Sequence, residues 1–431
     1  DLHLSLRRQR QMCIRDRGQK EEVTWRRRKK KGRWKLRRRD RCIQAQGPHI
    51  AVGAPYGLEE VEAIIRALRG ESLTMSNYVE KFQEEFAKFV GCKHALFVFN
   101  CTRAMEIAAD IIGIKEGDEV IVPAITFIAT ALPALQRKAK VVFADLDYDT
   151  MNVDPESVRE KLTDRTKAMY VVHHCGCPVD MDPIMELARE RDIAVVEDCA
   201  HAIGAEYKGK KCGNLGDFGA FSFHTIKNMT TLGEGGMLTT NDPEAFESAR
   251  LHRFVGMWNY PEQEHYWLPY HYDILPVTEW GTPASNSSVT EAQAAVGLVQ
   301  LGKVERFNER RREIASYWNE RFSELPELHP PLEPEGRMHV YHLYNLYYTK
   351  EGKRDELFKL LFYKYGIQPM IHYAPLYHFT LFKRLGYEGE YAPVAERIYR
   401  QKLDLPIYPQ LTDEQVEYVA DSVVEAVKEV S

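Results

Sequence analysis

Long apolar runs are missing from this sequence of 431 residues. No run approaches the roughly 18 apolar residues that a membrane-spanning helix needs, so we expect a soluble protein without a membrane partner. No stretch of about 7–15 apolar residues follows the N-terminal charges, which argues against an export signal there. The 8 cysteines are therefore expected to be reduced thiols in the cytoplasm. Internal repeats are missing too.

Positive charge is concentrated at one end of the chain. Residues 1–46 hold 18 Lys+Arg against 5 Asp+Glu, although the whole chain has a formal net charge of -5. This segment has no apolar periodicity and is predicted to be a disordered basic tail. Such a run is typical of tails that bind nucleic acid or membrane surfaces. We favour translated adapter or non-coding sequence, which "QMCIRDR" resembles, and do not expect a nucleic-acid partner.

From residue 58 onwards, helical patterns alternate with short apolar segments. These segments are continuous Val/Ile/Phe runs, which is typical of strands buried on both faces of a parallel sheet. The strands are predicted at 94–99, 119–123, 139–145, 167–174, 193–199, 219–224 and 235–240. The alternation of strand and helix predicts an α/β domain.

After about residue 285 the pattern becomes that of a smaller α+β domain. One long helical pattern covers 288–322, and further helices are predicted at 354–366 and 412–430. We therefore predict a large domain over 47–285 and a small C-terminal domain over 286–431. Between them, 257–283 holds seven Trp and Tyr residues and four prolines. We interpret it as an ordered loop at a cleft or subunit contact.

Polar residues follow several of the predicted strands, at the sheet edge where open α/β sheets bind ligands. The first strand runs into Asn100-Cys101-Thr102 at the start of a helix, where backbone N–H groups and the Thr102 hydroxyl suit a phosphate. N-capping by Asn100 or Thr102 explains the same residues without a ligand. Phe127, in "AITF", is placed where its ring can lie over a planar ligand, although aromatic side chains are more often core.

Two further segments carry ionisable groups. The strand at 193–199 ends with Glu197 and Asp198, and a buried carboxylate is costly unless a cation pairs with it. Lys227 lies in "SFHTIKNMTTLGEGGM", and an amine there can form a Schiff base with an aldehyde. Pyridoxal 5'-phosphate (PLP) needs a lysine, a carboxylate for its ring nitrogen, a stacking ring and a phosphate site. It is the cofactor that satisfies all four features together.

The sequence resembles the DegT/DnrJ/StrS family of PLP-dependent aminotransferases over about residues 50–430. The resemblance lies in the order and spacing of "HHCGCPVDMDPI", "EDCAHAIGA", "GDFGAFSFHTIKNMTTLGEGGM", "EAQAAVGLVQL", "IHYAPLYH" and "LDLPIYPQLTDEQ". It implies the fold-type I aminotransferase architecture, with a mainly parallel seven-stranded sheet between helices. It also implies a homodimer with active sites at the subunit interface. Most members aminate keto groups on nucleotide-linked sugars.

The resemblance also implies roles for individual residues. Lys227 looks like the internal aldimine lysine and Asp198 like the partner of the pyridine nitrogen. His201 corresponds to a residue near the cofactor oxygen, and Phe127 to the stacking aromatic. Phosphate contacts are expected from Cys101, Thr102, Ser222 and, from the other subunit, Asn286.

Two positions depart from the family pattern. The usual Ser-Gly-Thr phosphate turn is Asn100-Cys101-Thr102 here, which keeps the hydroxyl and the backbone donors but replaces the glycine. An arginine often found two residues after the Asn286 equivalent is Ser288. The mode of binding of a substrate or donor carboxylate is therefore not specified by the resemblance.

The predicted reaction is a ping-pong amino transfer from glutamate or glutamine to a keto sugar. Lys227 moves the proton, and Asp198 keeps the ring nitrogen protonated. A cyclitol or another carbonyl acceptor is the alternative within this class. A non-catalytic relative and a dehydratase are less favoured, since dehydratase relatives carry histidine in place of the lysine.

A metal-binding protein is the alternative from a different class. His173, His174, Cys175 and Cys177 lie within five residues and are of metal-ligating types. Neighbouring histidines at a strand end point to opposite faces, and no second ligand pair of close spacing is evident. No metal site is predicted, and His173 or His174 is expected near the active-site mouth.

Overall fold

The computed structural model describes residues 53–259, 272–278 and 283–430. The predicted tail over 1–46 lies outside the described residues, as does much of the aromatic segment 257–283. Both interpretations stay predictions. None of the helices in the described ranges is long and apolar enough to cross a membrane.

A seven-stranded sheet forms the centre of the fold. Its strands are β1 (His94–Val98), β2 (Glu119–Pro123), β3 (Lys140–Ala144), β4 (Thr166–Val172), β5 (Ala194–Asp198), β8 (Phe218–Ser222) and β9 (Gly236–Thr240). Their spatial order is β1-β9-β8-β5-β4-β2-β3. β9 runs antiparallel to both neighbours, and all pairs from β8 to β3 are parallel. The predicted strands and the mainly parallel sheet are confirmed.

Helices cover both faces of this sheet. They are α1 (Leu58–Ala67), α2 (Asn77–Val90), α3 (Cys101–Ile112), α4 (Leu132–Gln136), α5 (Pro155–Lys161), α6 (Met181–Arg191) and α7 (Pro243–Arg253). Successive residues of β2 enter different core clusters. Val120 and Val122 pack in the cluster that contains Met105 of α3, whereas Ile121 packs in the cluster that contains Leu187 of α6. Because both faces are buried, these strands read as continuous apolar runs.

The C-terminal part has a second core. Its helices are α8 (Glu291–Leu301), α9 (Val304–Ser323), α10 (Arg354–Tyr363), α11 (Thr380–Arg384), α12 (Pro393–Gln401) and α13 (Asp413–Val430). β12 (Leu328–His329), β14 (Tyr344–Tyr348) and β15 (Lys402–Leu405) form an antiparallel sheet. Fully buried Trp318, Tyr344 and Leu361 join these elements. The domain boundary at 285/286 stays a prediction.

Smaller elements complete the described structure. β6 (Glu206–Tyr207), β7 (Lys210–Lys211) and β13 (Arg337–Met338) form one small sheet, and β10 (Met257–Asn259) pairs with β11 (Tyr272–Ile274). Single 3₁₀ turns occur at 128–130, 174–176 and 376–378.

The prediction of one long helix over 288–322 is wrong at its centre. α8 ends at Leu301, and α9 begins at Val304. Lys303, in the break, places its Nζ 2.8 Å from an oxygen of the fully buried Glu60. Both helices bury an apolar face, so the helical periodicity of the sequence continues across the break. The contact that holds the break joins Lys303 to Glu60, which is distant in sequence.

Candidate active site

The ends of four sheet strands bring the predicted site residues together. β5 ends at Asp198 and β8 at Ser222, while β1 leads into Asn100 and helix α3. Gly236, the first residue of β9, pairs with Val98 on one side and with Ser222 on the other. Only β9 therefore separates Ser222 from the start of α3.

The start of α3 has the geometry of an anion site. Asn100 is the N-cap, and its side-chain oxygen accepts the N–H of Arg103 at 2.9 Å. Thr102 is half-buried and is not the N-cap, so its hydroxyl takes no part in capping α3. A Cβ on Gly236 would lie 2.3 Å from the carbonyl carbon of Asn100, so β9 can approach this turn only through a glycine. Capping and anion binding are compatible here.

Cys101 faces inwards from the same turn. Its Sγ lies 3.4 Å from the carbonyl oxygen of Ala220 and 3.9 Å from Oδ1 of Asp198. Burial raises the pKa of the Cys101 thiol well above its usual range, with the negative charge of Asp198 contributing. The side chain therefore lies beside Asp198, and Cys101 offers its backbone N–H at the start of α3.

Asp198 is a buried carboxylate held by neutral donors. Its Oδ2 accepts the hydroxyl of Thr130 at 2.8 Å, and its Oδ1 accepts the N–H of Ala200 at 3.0 Å. Thr130 is in turn 2.7 Å from the hydroxyl of Thr126. Burial raises the pKa of Asp198, against the hydrogen bonds and the charge of Lys227. Among the described residues, no cation forms an ion pair with it, so its charge is left for another group to balance.

Glu197 points to the other face of β5 and is fully paired. His173 Nε2 lies 2.8 Å from Oε2, which also accepts the N–H of Gly213 at 2.8 Å. Oε1 accepts the N–H groups of Leu215 and Gly216, both at 2.7 Å. Of the two carboxylates at this strand end, only Asp198 is therefore available to a ligand.

Lys227 follows β8 in a loop turned back by Gly233, whose φ of +100° suits glycine. Its backbone N–H donates to the carbonyl of His224 at 2.8 Å. Within 53–259, 272–278 and 283–430, its Nζ makes no hydrogen bond or ion pair. The residue is half-buried, and desolvation lowers the pKa of its ammonium to about 8, against the charge of Asp198. About a tenth of the amine is then uncharged at pH 7, which suits a nucleophile or a base.

His201 carries an unsatisfied ring nitrogen into the site. The residue is buried, and its Nδ1 has no hydrogen-bond partner in the described part of the chain. Burial lowers the pKa of His201 well below its usual range, so the ring is neutral. The ring lies 4.4 Å from that of His342 and 5.6 Å from that of His174, centroid to centroid. A buried polar atom without a partner is rare in folded proteins, and it fits a polar group of a bound cofactor.

Phe127 is 54% exposed, so the interpretation of this residue as core is wrong. Its ring lies 5.7 Å from that of Tyr373 and is tilted by 46°. One face is therefore accessible to a planar ligand.

Asn286 is exposed and held within its own segment. Its Oδ1 accepts the N–H of Ser288 at 2.9 Å and the Ser288 hydroxyl at 2.6 Å. Ser288, which replaces the family arginine, thus orients Asn286. The predicted contact of Asn286 with the phosphate of a partner subunit stays a prediction.

The His/Cys motif is buried, and the expectation that His173 or His174 lies near the active-site mouth stays a prediction. His173 uses both ring nitrogens, because Val179 donates its N–H to Nδ1 at 3.0 Å and Nε2 faces Glu197. The grouping of metal-ligating type in the described ranges is His173, Glu197 and Cys212, and His173 has no lone pair to add. Burial raises the pKa of both motif thiols to about 12, which makes them poor ligands.

His174 turns the opposite way from His173, as predicted. Its Nε2 donates to the carbonyl oxygen of His372 at 3.3 Å, and its ring lies near His201 and Tyr373. Burial lowers the pKa of His174 to about 3, so the ring is neutral.

Several residues around the site carry no local signal in the sequence. Thr130 supports Asp198 from a 3₁₀ turn after β2, and nothing in its neighbourhood marks it. His342, His372 and Tyr373 come from the C-terminal part. Of these, only His372 and Tyr373 lie in a motif, "IHYAPLYH", that carried the family resemblance.

Comparisons with known proteins agree with this geometry. The model of the DegT/DnrJ/EryC1/StrS aminotransferase family matches residues 56–424. The spore coat polysaccharide biosynthesis protein SpsC of Bacillus subtilis (strain 168) is 36% identical over 397 residues, which cover 90% of this chain and 98% of SpsC. The dTDP-3-amino-3,6-dideoxy-alpha-D-galactopyranose transaminase of Aneurinibacillus thermoaerophilus is 35% identical over 371 residues, covering 85% of this chain and 95% of that protein.

Solved structures are also similar. Spr1654 from Streptococcus pneumoniae in its PMP form superposes with a TM-score of 0.82 and 27% identity, over 88% of this chain and 99% of that chain. Its PLP form matches with a TM-score of 0.80 and 26% identity, over 88% and 98%. The chain belongs to the DegT/DnrJ/EryC1/StrS aminotransferase family.

Proposed function

We propose that this aminotransferase uses PLP to move an amino group from glutamate or glutamine to a keto group of a nucleotide-linked sugar. The observation that carries the proposal is the buried Asp198 carboxylate, which has no counter-ion in the described residues and is close enough to Lys227 for their charges to interact. A similar transaminase is named for a dTDP-linked amino sugar, and this supports the nucleotide-sugar acceptor.

The residues present fit the cofactor. Asp198 would face the protonated ring nitrogen, His201 Nδ1 a polar ring substituent, and Phe127 the face of the ring. Thr102, Ser222 and the backbone of Cys101 would hold the phosphate at the start of α3. When bound, PLP supplies an aldehyde for the amino group and a ring that accepts electrons.

Lys227 and Asp198 divide the proton chemistry between them. Lys227, with a pKa of about 8, is uncharged often enough near neutral pH to take the proton from the α-carbon of the donor. Asp198 holds a proton at the ring nitrogen, because a buried carboxylate without another counter-ion strongly favours a cationic neighbour. The amino group would stay with the cofactor while water supplies the keto oxygen, so the donor leaves as its keto acid before the keto sugar binds. In the second half-reaction Lys227 would deliver a proton to the carbon of the sugar that receives the amino group. Kinetics are therefore ping-pong.

Removal of the Lys227 amine tests the cofactor assignment. Lys227→Ala protein should lack the near-visible absorbance of PLP bound to a lysine, while Lys210→Ala, at an exposed lysine on β7, should keep it. If Lys227→Ala keeps that absorbance, Lys227 is not the attachment point.

A substrate screen tests the acceptor separately. Glutamate-treated enzyme is mixed with keto-sugar nucleotides and with inososes, and loss of the aminated cofactor's spectrum reports turnover. Turnover with inososes alone would favour the cyclitol alternative. Failure with every compound would refute the sugar acceptor and leave the cofactor assignment intact.

We further propose a cytoplasmic homodimer, with a large domain over 47–285, a small domain over 286–431, and Asn286 contacting the partner's phosphate site. The exposure of Asn286 and its orientation by Ser288 support this contact. Light scattering should give a dimer mass, and Asn286→Ala should weaken PLP binding without dissociating the dimer. A monomer with full activity would contradict the shared site.

A further inference from the structure

A pocket of about 250 Å³ adjoins the candidate site. Ile226, the neighbour of Lys227, lines it, as do His342, which packs against His201, and Tyr373, which packs against Phe127. Sites for drug-sized ligands span roughly 300–1,000 Å³. This pocket therefore has room for one sugar-sized ring rather than for a whole nucleotide sugar.

His372 lines this pocket and is held from behind by a buried carboxylate. Oδ2 of Asp404 accepts the backbone N–H of His372 at 2.8 Å and lies 2.9 Å from its Nδ1. Asp404 is 2% exposed and is fixed by two backbone hydrogen bonds with Met370, at 2.8 and 3.0 Å. The carboxylate can only accept, so the Nδ1 of His372 carries the proton and donates it.

Lys402 balances the charge of Asp404. Its Nζ is completely buried, lies 3.2 Å from Oδ1 of Asp404 and donates to the carbonyl oxygen of His372. In the tautomer that is protonated at Nδ1, the lone pair of the imidazole lies on Nε2.

The Nε2 of His372 is the ring nitrogen available to the pocket. It makes no hydrogen bond within the described part of the chain, and the side chain is 18% exposed. A lone pair in this position accepts a hydrogen bond, so it matches a hydroxyl group of a ligand.

We propose that His372 binds a hydroxyl of the keto acceptor through Nε2, and that Asp404 and Lys402 are positioning residues that keep the ring in this tautomer. The inference rests on the proposed function, since it needs an acceptor that carries hydroxyl groups. Glutamate and glutamine have none. The contact therefore acts on the acceptor half-reaction and leaves the donor half-reaction unchanged.

The test uses the full-length, PLP-loaded enzyme with glutamate and a dTDP-linked 3-keto-6-deoxyhexose, or the keto sugar from the screen that turns over best. His372→Phe should raise the KM for the acceptor about tenfold, the loss of one hydrogen bond, with the donor half-reaction within twofold of wild type. His372→Gln, which keeps an acceptor oxygen, should recover part of the loss. His378→Phe is the matched control, because His378 also pairs with a carboxylate, Glu396 at 2.6 Å, but does not line the pocket.

A measurement without turnover checks the tautomer. In the PLP-loaded enzyme labelled with ¹⁵N-histidine, the signals that vanish in His372→Phe should be those of a ring protonated at Nδ1, and Asp404→Asn should shift them. A ring protonated at Nε2 would overturn the proposal. Two results for His372→Phe would also overturn the proposal, provided that wild type turns over the keto sugar. One is an equal loss of rate in both half-reactions, and the other is an unchanged KM for the acceptor. If wild type turns over none of the keto sugars, the proposed function fails first and this inference with it.

Discussion

Thr130 allows a quantitative test of the assignment of Asp198. Its hydroxyl donates to Oδ2 of Asp198 at 2.8 Å from a buried position. Thr130→Val keeps the shape of the side chain and removes this donor. Asp198 then keeps the N–H of Ala200 and the weak contact with the Cys101 thiol. Hydrogen bonds to the charged form lower a carboxyl pKa, so the pKa of Asp198 should rise further.

The size of the effect follows from the type of bond that is lost. A hydrogen bond to a charged group contributes about 1.5–3 kcal/mol, and about 1.4 kcal/mol corresponds to a factor of ten. An Asp198 that is less ionised holds the ring nitrogen less firmly in its protonated form. We therefore expect the rate constant of the donor half-reaction to fall about 10- to 150-fold.

Stopped-flow absorbance of the PLP-loaded enzyme mixed with glutamate measures that rate constant. Thr126→Val is the matched control, since it removes only the 2.7 Å contact with Thr130 and leaves the bond to Asp198 in place. It should lose much less activity. A Thr130→Val enzyme within twofold of wild type, or one no slower than Thr126→Val, would refute the reasoning.

Three further predictions address stability, pH and packing. Asp198→Asn should raise the melting temperature of the cofactor-free protein at neutral pH while weakening PLP binding. Burial raises the folded-state pKa of Asp198 above 3.8, so ionisation destabilises the fold increasingly as pH rises through that pKa. If calorimetry gives the same difference in melting temperature between Asp198→Asn and wild type at pH 3.5 and at pH 7, this prediction is contradicted. Lys227, with a pKa of about 8, should capture PLP at a rate that rises with pH and levels off above about pH 8, and stopped-flow absorbance showing a steady rise to pH 10 would argue against a lowered pKa. Gly236→Ala should abolish PLP retention, because its Cβ would lie 2.3 Å from Asn100 and displace the start of α3; unchanged binding in an absorbance titration would show that this turn does not hold the cofactor.

The elements of the large sheet were predictable because their signals are local. A strand buried on both faces needs apolar residues at successive positions, and the sequence shows this at 120–123 in β2 and at 193–196 leading through β5. The helix break at Lys303 was not predictable, because the contact that holds it is with Glu60, more than two hundred residues away. Phe127 was ambiguous for the same reason, since exposure depends on what packs against the ring.

The sequence by itself determined the reactive groups and the order in which the chain presents them. Lys227, Asp198 and the turn at Asn100 follow strands, and the carboxyl ends of parallel strands meet at one edge, so their convergence follows from chain order. Tertiary structure decided which carboxylate is available. Glu197 and Asp198 are neighbours in sequence, but alternate residues of a strand face opposite sides. His173 therefore pairs with one of them, while the other is left buried with only neutral donors. Tertiary structure also decided that His372 meets Asp404 and Lys402, because no local pattern can encode a pairing between distant segments.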